Sequence, residues 1–351
     1  MSWSRNTLHV TTITFYIFDS TSLSMERTTL RLHDRPIIML GYPITHHQKF
    51  PIVMQFSWAF LFLTSVALAK GQKILLTNDD GWAVAQIRDQ YNAFTATGFD
   101  VILSAPAENK SGTGSSTTTP TVLASACEFN TCAAGSPAEG SNTTDPRINY
   151  VNGFPVDAVN FGIQTLAPKF FGSKPDLVVS GANIGANLGS TVNVSGTVGA
   201  ACEAALEGVP SIAFSGSSGS QVSYTTLSQT TAASTVTANI YTALVLKFTQ
   251  ALLNNTTPLL PTGTSVNVNF AANANCPSAS SYKFVFTRLQ ASSSATDVTT
   301  CGTDHLIAES TEITKGCIAT VSVFNASNKG DVSATTQAAV LNKISSILSC
   351  P

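Results

Sequence analysis

Two adjacent carboxylates, Asp79 and Asp80, sit in the stretch ILLTNDDGW, where a run of aliphatic residues stops. Asn, Asp and Gly together favour a tight turn, because Asx side chains bond nearby backbone and Gly accepts positive φ. The same residues can also hold a cation or a phosphate at the end of a buried strand. Two further polar clusters have the same form. ENKSG contributes Asn109, Lys110, Ser111 and Gly112, and SGANIGANLG contributes Ser180, Gly181, Ala182, Asn183 and Asn187. Two carboxylates, a hydroxyl and an amide carbonyl make an all-oxygen set, suited to one hard divalent ion, Mg²⁺ or Mn²⁺ above all and Ca²⁺ by the same chemistry, not to Zn²⁺. Phosphate is the natural co-ligand of such an ion. The stretch SGTVGAA offers Ser195, Gly196 and Thr197 at a helix start, where free N–H groups and the helix dipole favour an anion. A plain N-cap explains that turn equally well.

These residues need strands to bring them together. KILLTN and DVILSAP are short apolar runs separated by AVAQIRDQYNAFTATG, whose spacing is helical, and the three form a βαβ unit. PDLVVSGANIGANLG is a further buried strand with a Gly/Asn-rich exit. SGTVGAACEAALEGVP is a helix, SIAFSG a strand and SQTTAASTVTANIYTALVLKFTQALL a long helix. The segment from Ala107 to about Arg147 is too rich in Ser, Thr and Gly for a simple connection and reads as a functional loop with irregular extended pieces. PVDAVNFGIQTLAPKF then reads as one helix. Beyond Pro261 come SVNVNFAAN, YKFVFTRL and CIATVSVF, closed by a helical TTQAAVLNKISSIL. The expectation is an α/β fold: a Rossmann-like three-layer α/β/α sandwich with a mostly parallel sheet and a strand-rich C-terminal extension. In such sheets ligands bind outside the carboxyl ends of the strands, so the three polar exits converge on one edge.

The chain has 351 residues, 43% hydrophobic and only 11% charged, with a net charge of −2. That excludes the basic field that binding a nucleic-acid duplex requires. MQFSWAFLFLTSVALAKGQ starts at Met54 and ends its apolar run in Ala67-Leu68-Ala69, the pattern of a signal peptide cleaved after Ala69. The competing reading of Pro51 to Ala69 is a membrane anchor; the small-residue exit favours cleavage, so no stable anchor is expected. Residues 1–53 show neither helical nor strand periodicity and read as an extension absent from the mature protein, with 54–69 the signal peptide and 70–351 the functional domain. Secretion fits the sequons opened by Asn109, Asn142, Asn193, Asn254, Asn255 and Asn325. It also fits the seven cysteines. Cys202, in a helix of small residues, reads as a buried hydrophobe. Cys127–Cys132 is the expected local bridge, with Cys301–Cys317 and Cys276–Cys350 as the remaining pairs.

KILLTNDDGW, VILSAPAENKSG, PDLVVSGANIGANLGSTVNVSGTVGAACEAALEGVPSIAFS and the later VNVNFA and FVFTRL resemble the survival protein SurE family, metal-dependent phosphatases described as 5′/3′-nucleotidases. The resemblance runs from about Gln72 toward the C-terminal region. It implies metal ligation by Asp79, Asp80, Ser111 and Asn183, with the two aspartates catalytic. It implies phosphate contact by Asn187 and the Ser195-Gly196-Thr197 turn, and C-terminal strands that help build a homodimer or tetramer. Three places depart from the family pattern. Val84-Ala85-Gln86 stands where Ala-Pro-Gly is common, Gly153-Phe154-Pro155-Val156-Asp157 where Gly-Thr-Pro-x-Asp is common, and Glu108-Asn109-Lys110 where an arginine usually leads into the Ser-Gly loop. None removes a ligand.

The activity expected is hydrolysis of small phosphomonoesters, of the 5′/3′-nucleotidase or acid-phosphatase kind, by a metal-activated water attacking a phosphate held at a helix N-terminus. Lys110 reads as a solvated loop lysine, with electrostatic help to the site as the sharper alternative. The cysteines and leader suggest a secreted, fungal-type eukaryotic branch. The alternative class is a catalytically inactive secreted binding glycoprotein on the same fold. A dinucleotide-binding oxidoreductase is disfavoured, since no G-x-G-x-x-G opens the first helix.

Overall fold

A computed structural model describes residues 71–351 and, of the preceding segment, the backbone of two short strands. These are β1 (Phe15–Phe18) and β2 (Met25–Thr28), an antiparallel pair in which Phe15 faces Thr28. Four-residue strands are too short to display a period, which is why the sequence reading found none there. The expected signal peptide and its cleavage point lie outside the described residues.

The main body is one ten-stranded sheet. Its strands are β3 (Lys73–Thr77), β4 (Asp100–Pro106), β5 (Glu139–Ser141), β6 (Ile148–Val151), β7 (Leu177–Ile184), β8 (Ser211–Gly216), β9 (Thr264–Phe270), β10 (Lys283–Thr287), β11 (Ile318–Asn325) and β12 (Leu348–Ser349). They lie in the order β12-β10-β11-β9-β8-β7-β3-β4-β6-β5. From β6 to β9 every neighbouring pair is parallel. Within that block the chain moves outward from β3 through β4 to β6, then returns to lay β7, β8 and β9 on the other side. The direction of winding therefore reverses between β3 and β7, and such a switch point opens a crevice at the strands' carboxyl ends.

Alternation along β3 explains the two helical layers, because successive side chains of a strand point to opposite faces. Ile74 and Leu76 pack with Ile87, Tyr91 and Phe94 of α1 (Ala85–Ala96). They share that cluster with Tyr241, Leu244 and Phe248 of the helix α5, Ala233–Leu253. Leu75 faces the other way, against Val159 of α2 (Pro155–Phe161) and against Ala200 and Ala204 of α4 (Gly196–Leu206). The predicted single helix over 155–170 is instead α2, a π-helical stretch over Gly162–Leu166, and α3 (Ala167–Phe171). Gly162 lies so near β3 that a Cβ there would come within 2.6 Å of Leu75 Cδ2.

The C-terminal strands do not form a separate unit. They extend the same sheet: β11 runs antiparallel to β9, and β10 lies parallel to both β11 and β12. The short α6 (Glu309–Glu312) and α7 (Ala334–Ile344) accompany them. The polar segment after β4 includes β5, which the sequence reading missed; its Glu-Gly-Ser carries no apolar period.

Cys127–Cys132 forms as expected, and Cys202 is free and buried, with burial pushing its thiol up to about 12. The other two pairings differ from expectation. They are Cys276–Cys317 and Cys301–Cys350, not Cys301–Cys317 and Cys276–Cys350. The sheet dictates this exchange. Cys276 follows β9 and Cys317 precedes β11, and antiparallel pairing puts those two ends side by side. Cys350 follows β12 at the sheet edge, beside β10 and the loop that leaves it.

Candidate metal and phosphate site

The chain leaves β3 in a turn closed by Asn78. Its Nδ2 donates to the Gly81 carbonyl at 3.0 Å and its Oδ1 accepts from the Gly81 N–H at 3.2 Å. Gly81 has φ of +114°, and a Cβ there would collide with the carboxylate of Glu128. The turn directs its two aspartates to different partners. Asp79, 2% exposed, accepts from the Thr197 hydroxyl at 2.6 Å and from the Thr197 N–H at 3.1 Å. Asp80, 1% exposed, accepts from the Ile184 N–H at 3.0 Å.

Both carboxyls are pushed above the usual carboxylate range, chiefly by burial. For Asp79 the Thr197 bonds oppose that rise. Asp80 lies well above the range, because the charge of Asp79 adds to burial and Glu128 adds a little more, against one bond from Ile184. Two like charges this close resist joint ionisation, and a cation between them reverses that preference.

Thr197 lies in the first turn of α4. Ser195 caps the helix, its Oγ accepting from the Val198 N–H at 3.1 Å. The Ser195-Gly196-Thr197 turn thus presents its donors to Asp79, and the positive end of the helix dipole sits against that carboxylate. Gly196 permits the approach: a Cβ there would lie 2.9 Å from Asp79 Cβ and 3.0 Å from Pro155 Cγ.

Asn183 stands at the exit of β7, across the switch point. The register between β7 and β8 shifts between Ser180 and Asn183, a bulge that re-aims the side chain. Gly181, with φ of +104°, makes the bulge possible, since a Cβ there would strike the Phe214 carbonyl. Asn183 Nδ2 donates to the Gly185 carbonyl at 2.6 Å, while its Oδ1 is buried without a partner. A buried acceptor left unpaired costs about 1–3 kcal/mol, so this oxygen suits a ligand.

The Ser111 loop reaches the acid pair through backbone. The Lys110 N–H donates to the Asp79 carbonyl at 2.7 Å, and the Ser111 N–H donates to Asn109 Oδ1 at 2.8 Å. Ser111 itself is exposed at the mouth of the crevice. Lys110 Nζ faces Glu108 at 3.6 Å. Asn187 lies apart from the carboxylates, on a floor of amides. Its N–H donates to Asn269 Oδ1 at 2.8 Å and its Nδ2 to Ser215 Oγ at 2.8 Å.

The residue types fit a hard divalent cation: two buried carboxylates, an orphaned amide oxygen and a nearby hydroxyl. Among the described residues no group of three or more His, Cys, Asp or Glu forms a softer or more acidic alternative.

Sequence reasoning missed two neighbours. Gln221 Nε2 donates to the Asp80 carbonyl at 2.6 Å and to Glu128 Oε1 at 2.9 Å. Glu128 is delivered by the loop that Cys127–Cys132 closes. Gln221 sits in a Ser/Gly-rich loop with no period to mark it. The cysteine pair was the one available signal for Glu128.

Comparison with known proteins adds to this geometry. The family described as Survival protein SurE matches residues 74–296. An acid phosphatase of Yarrowia lipolytica is 39% identical over 203 residues, 56% of this chain and 56% of that protein. The 5′-nucleotidase SurE of Geobacter metallireducens is 39% identical over 143 residues, 41% of this chain and 48% of that protein. The chain thus spans about half the length of the curated relatives it matches. The crystal structure of a SurE protein from Aquifex aeolicus shares the fold with a TM-score of 0.51 at 24% identity, covering 72% of this chain and 93% of that one. Family match, fold and the conjunction of NDDG with SGANIGANLG agree: the chain belongs to the survival protein SurE family.

Proposed function

We propose that the chain is a divalent-metal-dependent phosphomonoesterase acting on small phosphate esters, nucleoside 5′- or 3′-monophosphates among them. The observation that carries this reading is the buried Asp79–Asp80 pair beside the unpartnered Oδ1 of Asn183 at the β3/β7 switch point. The names of the relatives, acid phosphatase and 5′-nucleotidase, support the same reaction class.

Asp79, Asp80, Asn183 and Ser111 would hold the cation, Mg²⁺ or Mn²⁺. When bound, it supplies Lewis-acid polarisation of a phosphoryl oxygen and eases deprotonation of water. The chain's own residues do the rest. Thr197 fixes the orientation of Asp79 with two hydrogen bonds, so little reorganisation is needed when charge develops. The start of α4 would add positive partial charge toward an approaching phosphate, and Asn187 would border it from the amide floor. Gln221 braces the Asp80 backbone from outside and is itself held by Glu128.

The test is phosphate release from 5′-AMP, 3′-AMP and an aryl phosphate with Mg²⁺ or Mn²⁺, with and without chelator, for the wild type and Asp80→Asn. Activity that survives chelation or the substitution overturns the metal mechanism. Silence on every substrate overturns the phosphatase reading. Secretion with cleavage after Ala69 belongs to the proposal, supported by three disulfides of the kind that persist in oxidising compartments; N-terminal sequencing of exported protein checks it. A homodimer or tetramer built on the C-terminal strands also belongs to it, and sedimentation checks that.

A further inference from the structure

Glu309, the first residue of α6, is fully buried although nothing in the reaction scheme uses it. Its Oε1 accepts from the Gly189 N–H at 2.8 Å. Both carboxylate oxygens lie 3.1 Å from Asn267 Nδ2 on β9. Asn267, also fully buried, donates to the Asn187 carbonyl at 2.9 Å, and Asn269 Nδ2 approaches that same carbonyl at 3.2 Å. Asn187 is therefore gripped at its N–H, its carbonyl and its side-chain amide by three residues of β8 and β9. Two residues further on, Gly189 is gripped by Glu309. A single acid thus anchors both ends of the arm 187–189, one directly and one through Asn267.

We propose that Glu309 is a positioning residue for phosphate: it sets the Asn187–Gly189 arm in the shape that meets the phosphate. The inference rests on the phosphatase reading above.

The surroundings of Glu309 also decide its charge, which the arm passes on to the phosphate. The Gly189 N–H faces it from the arm, Asn267 from β9 and Ser322 from β11, all favouring the charged form, while the charge of Asp331 opposes it. The Arg288 backbone carbonyl accepts from the Glu309 N–H at 2.8 Å, and its guanidinium is taken up by Asp297 at 3.0 Å and Asp331 at 3.4 Å. Burial dominates and pushes the Glu309 carboxyl up to about 8. Below that pH the anchor is neutral and adds no repulsion to a phosphate dianion. Above it, a buried negative charge stands behind the arm.

The test compares wild type, Glu309→Gln and Asn267→Ala for kcat, KM, pH profile, melting temperature and Mn²⁺ affinity. Gln keeps an acceptor for Gly189 and stays neutral at every pH. It turns one oxygen into a donor facing Asn267. Expected for Glu309→Gln is a KM raised about 3–10-fold at pH 6, kcat within about 2-fold, unchanged Mn²⁺ affinity, and loss of the alkaline limb of kcat/KM near pH 8. Asn267→Ala keeps that limb but raises KM by a similar factor, because Asn187 loses a bond while Glu309 still titrates.

A Gln variant with wild-type KM and an unshifted alkaline limb overturns the proposal. A lowered melting temperature with KM and kcat unchanged overturns it too, since it reduces Glu309 to a packing residue. Should the wild type release no phosphate from any ester, inorganic phosphate titrated into the Mn²⁺-loaded protein replaces the assay. Weaker phosphate binding in Glu309→Gln then sustains the positioning role without the phosphatase reading, and equal binding overturns it.

Discussion

Around the exits of β3 and β7 acceptors outnumber donors, whereas beneath Asn187 the amides of β9 answer nearly every backbone group they meet. Asp79, Asp80, Asn183 and the outer carboxylate of Glu128 crowd one bank with oxygens, two of them buried without partners on Asn183 and Glu128. On the other bank Ser215, Asn267, Asn269 and Glu309 hold the arm with bonds of 2.8–3.2 Å. One crevice thereby serves two tasks. A bank meant to take up a cation keeps acceptors in reserve and is electrostatically tense. A bank meant to hold shape uses most of its hydrogen bonds on itself, although Asn267 Oδ1 is buried there without a partner, and such a network is rigid.

The comparison breaks most sharply at Asp80. Asp80→Asn should lower phosphate release by at least about 10²-fold. In chelator-treated protein the same change should raise the melting temperature by a few degrees, roughly 1–2 kcal/mol, because it removes a buried like charge. Calorimetry beside the activity assay checks both, and a chelated variant less stable than wild type contradicts the tension ascribed to this bank.

Gly196→Ala comes next. Its Cβ would press on Asp79 and Pro155, so about 1–3 kcal/mol of stability and roughly a tenfold loss of activity are expected from denaturant melts and steady-state rates.

On the quieter bank the effect is one of pH. The Glu309 carboxyl titrates near 8 when folded and near the ordinary 4.5 when unfolded. The folded chain holds this proton more tightly, so the stability it contributes is complete below pH 4.5 and is lost as pH rises through 8. Urea melts at pH 5 and pH 9 should show a fall larger in wild type than in Glu309→Gln by about 2–4 kcal/mol, on top of the fall that raised Asp79 and Asp80 give to both.

The smallest catalytic effects are those of the disulfides. Replacing Cys301 and Cys350, which lie 49 residues apart, by Ser should cost up to about 4 kcal/mol yet leave the rate at 25 °C unchanged, since that bridge sits at the β12 edge. Replacing Cys127 and Cys132 should cost less, about 2 kcal/mol, but should lower activity a few-fold through Glu128, Gln221 and Asp80.

The acid-rich bank was the legible one. NDDG and SGANIGAN end apolar runs, and strand exits of a parallel sheet must share an edge, so Asp79, Asp80 and Asn183 could be gathered without coordinates. What α4 does with its first turn was not legible, because an N-cap, an anion site and a clasp on a neighbouring carboxylate use the same Ser-Gly-Thr. The amide floor was hidden for a different reason. The alternation in VNVNF ordinarily marks a strand with one wet face, yet Asn267 and Asn269 are both fully buried. Only the partners at Asn187 and Glu309, 80 and 42 residues away, make burial of those amides tolerable. Disulfide pairing failed similarly: it depends on which strand ends adjoin, and β9, β10 and β11 are not laid down in sequence order.

The clasp between Asp79 and Thr197 joins residues 118 apart, and the anchor between Gly189 and Glu309 joins residues 120 apart. At a synthesis rate of about 5–20 residues per second, each partner must wait roughly 6–24 s for the other to leave the ribosome. During the first wait the aspartates remain in water, ordinary acids on an unfinished strand. During the second the aspartates and Thr197 are both out of the ribosome, but the arm opposite them is untethered. The residues of the charged bank therefore leave the ribosome well before those that hold the arm, and the crevice's shape waits on Glu309, nearly the last of its parts to be made.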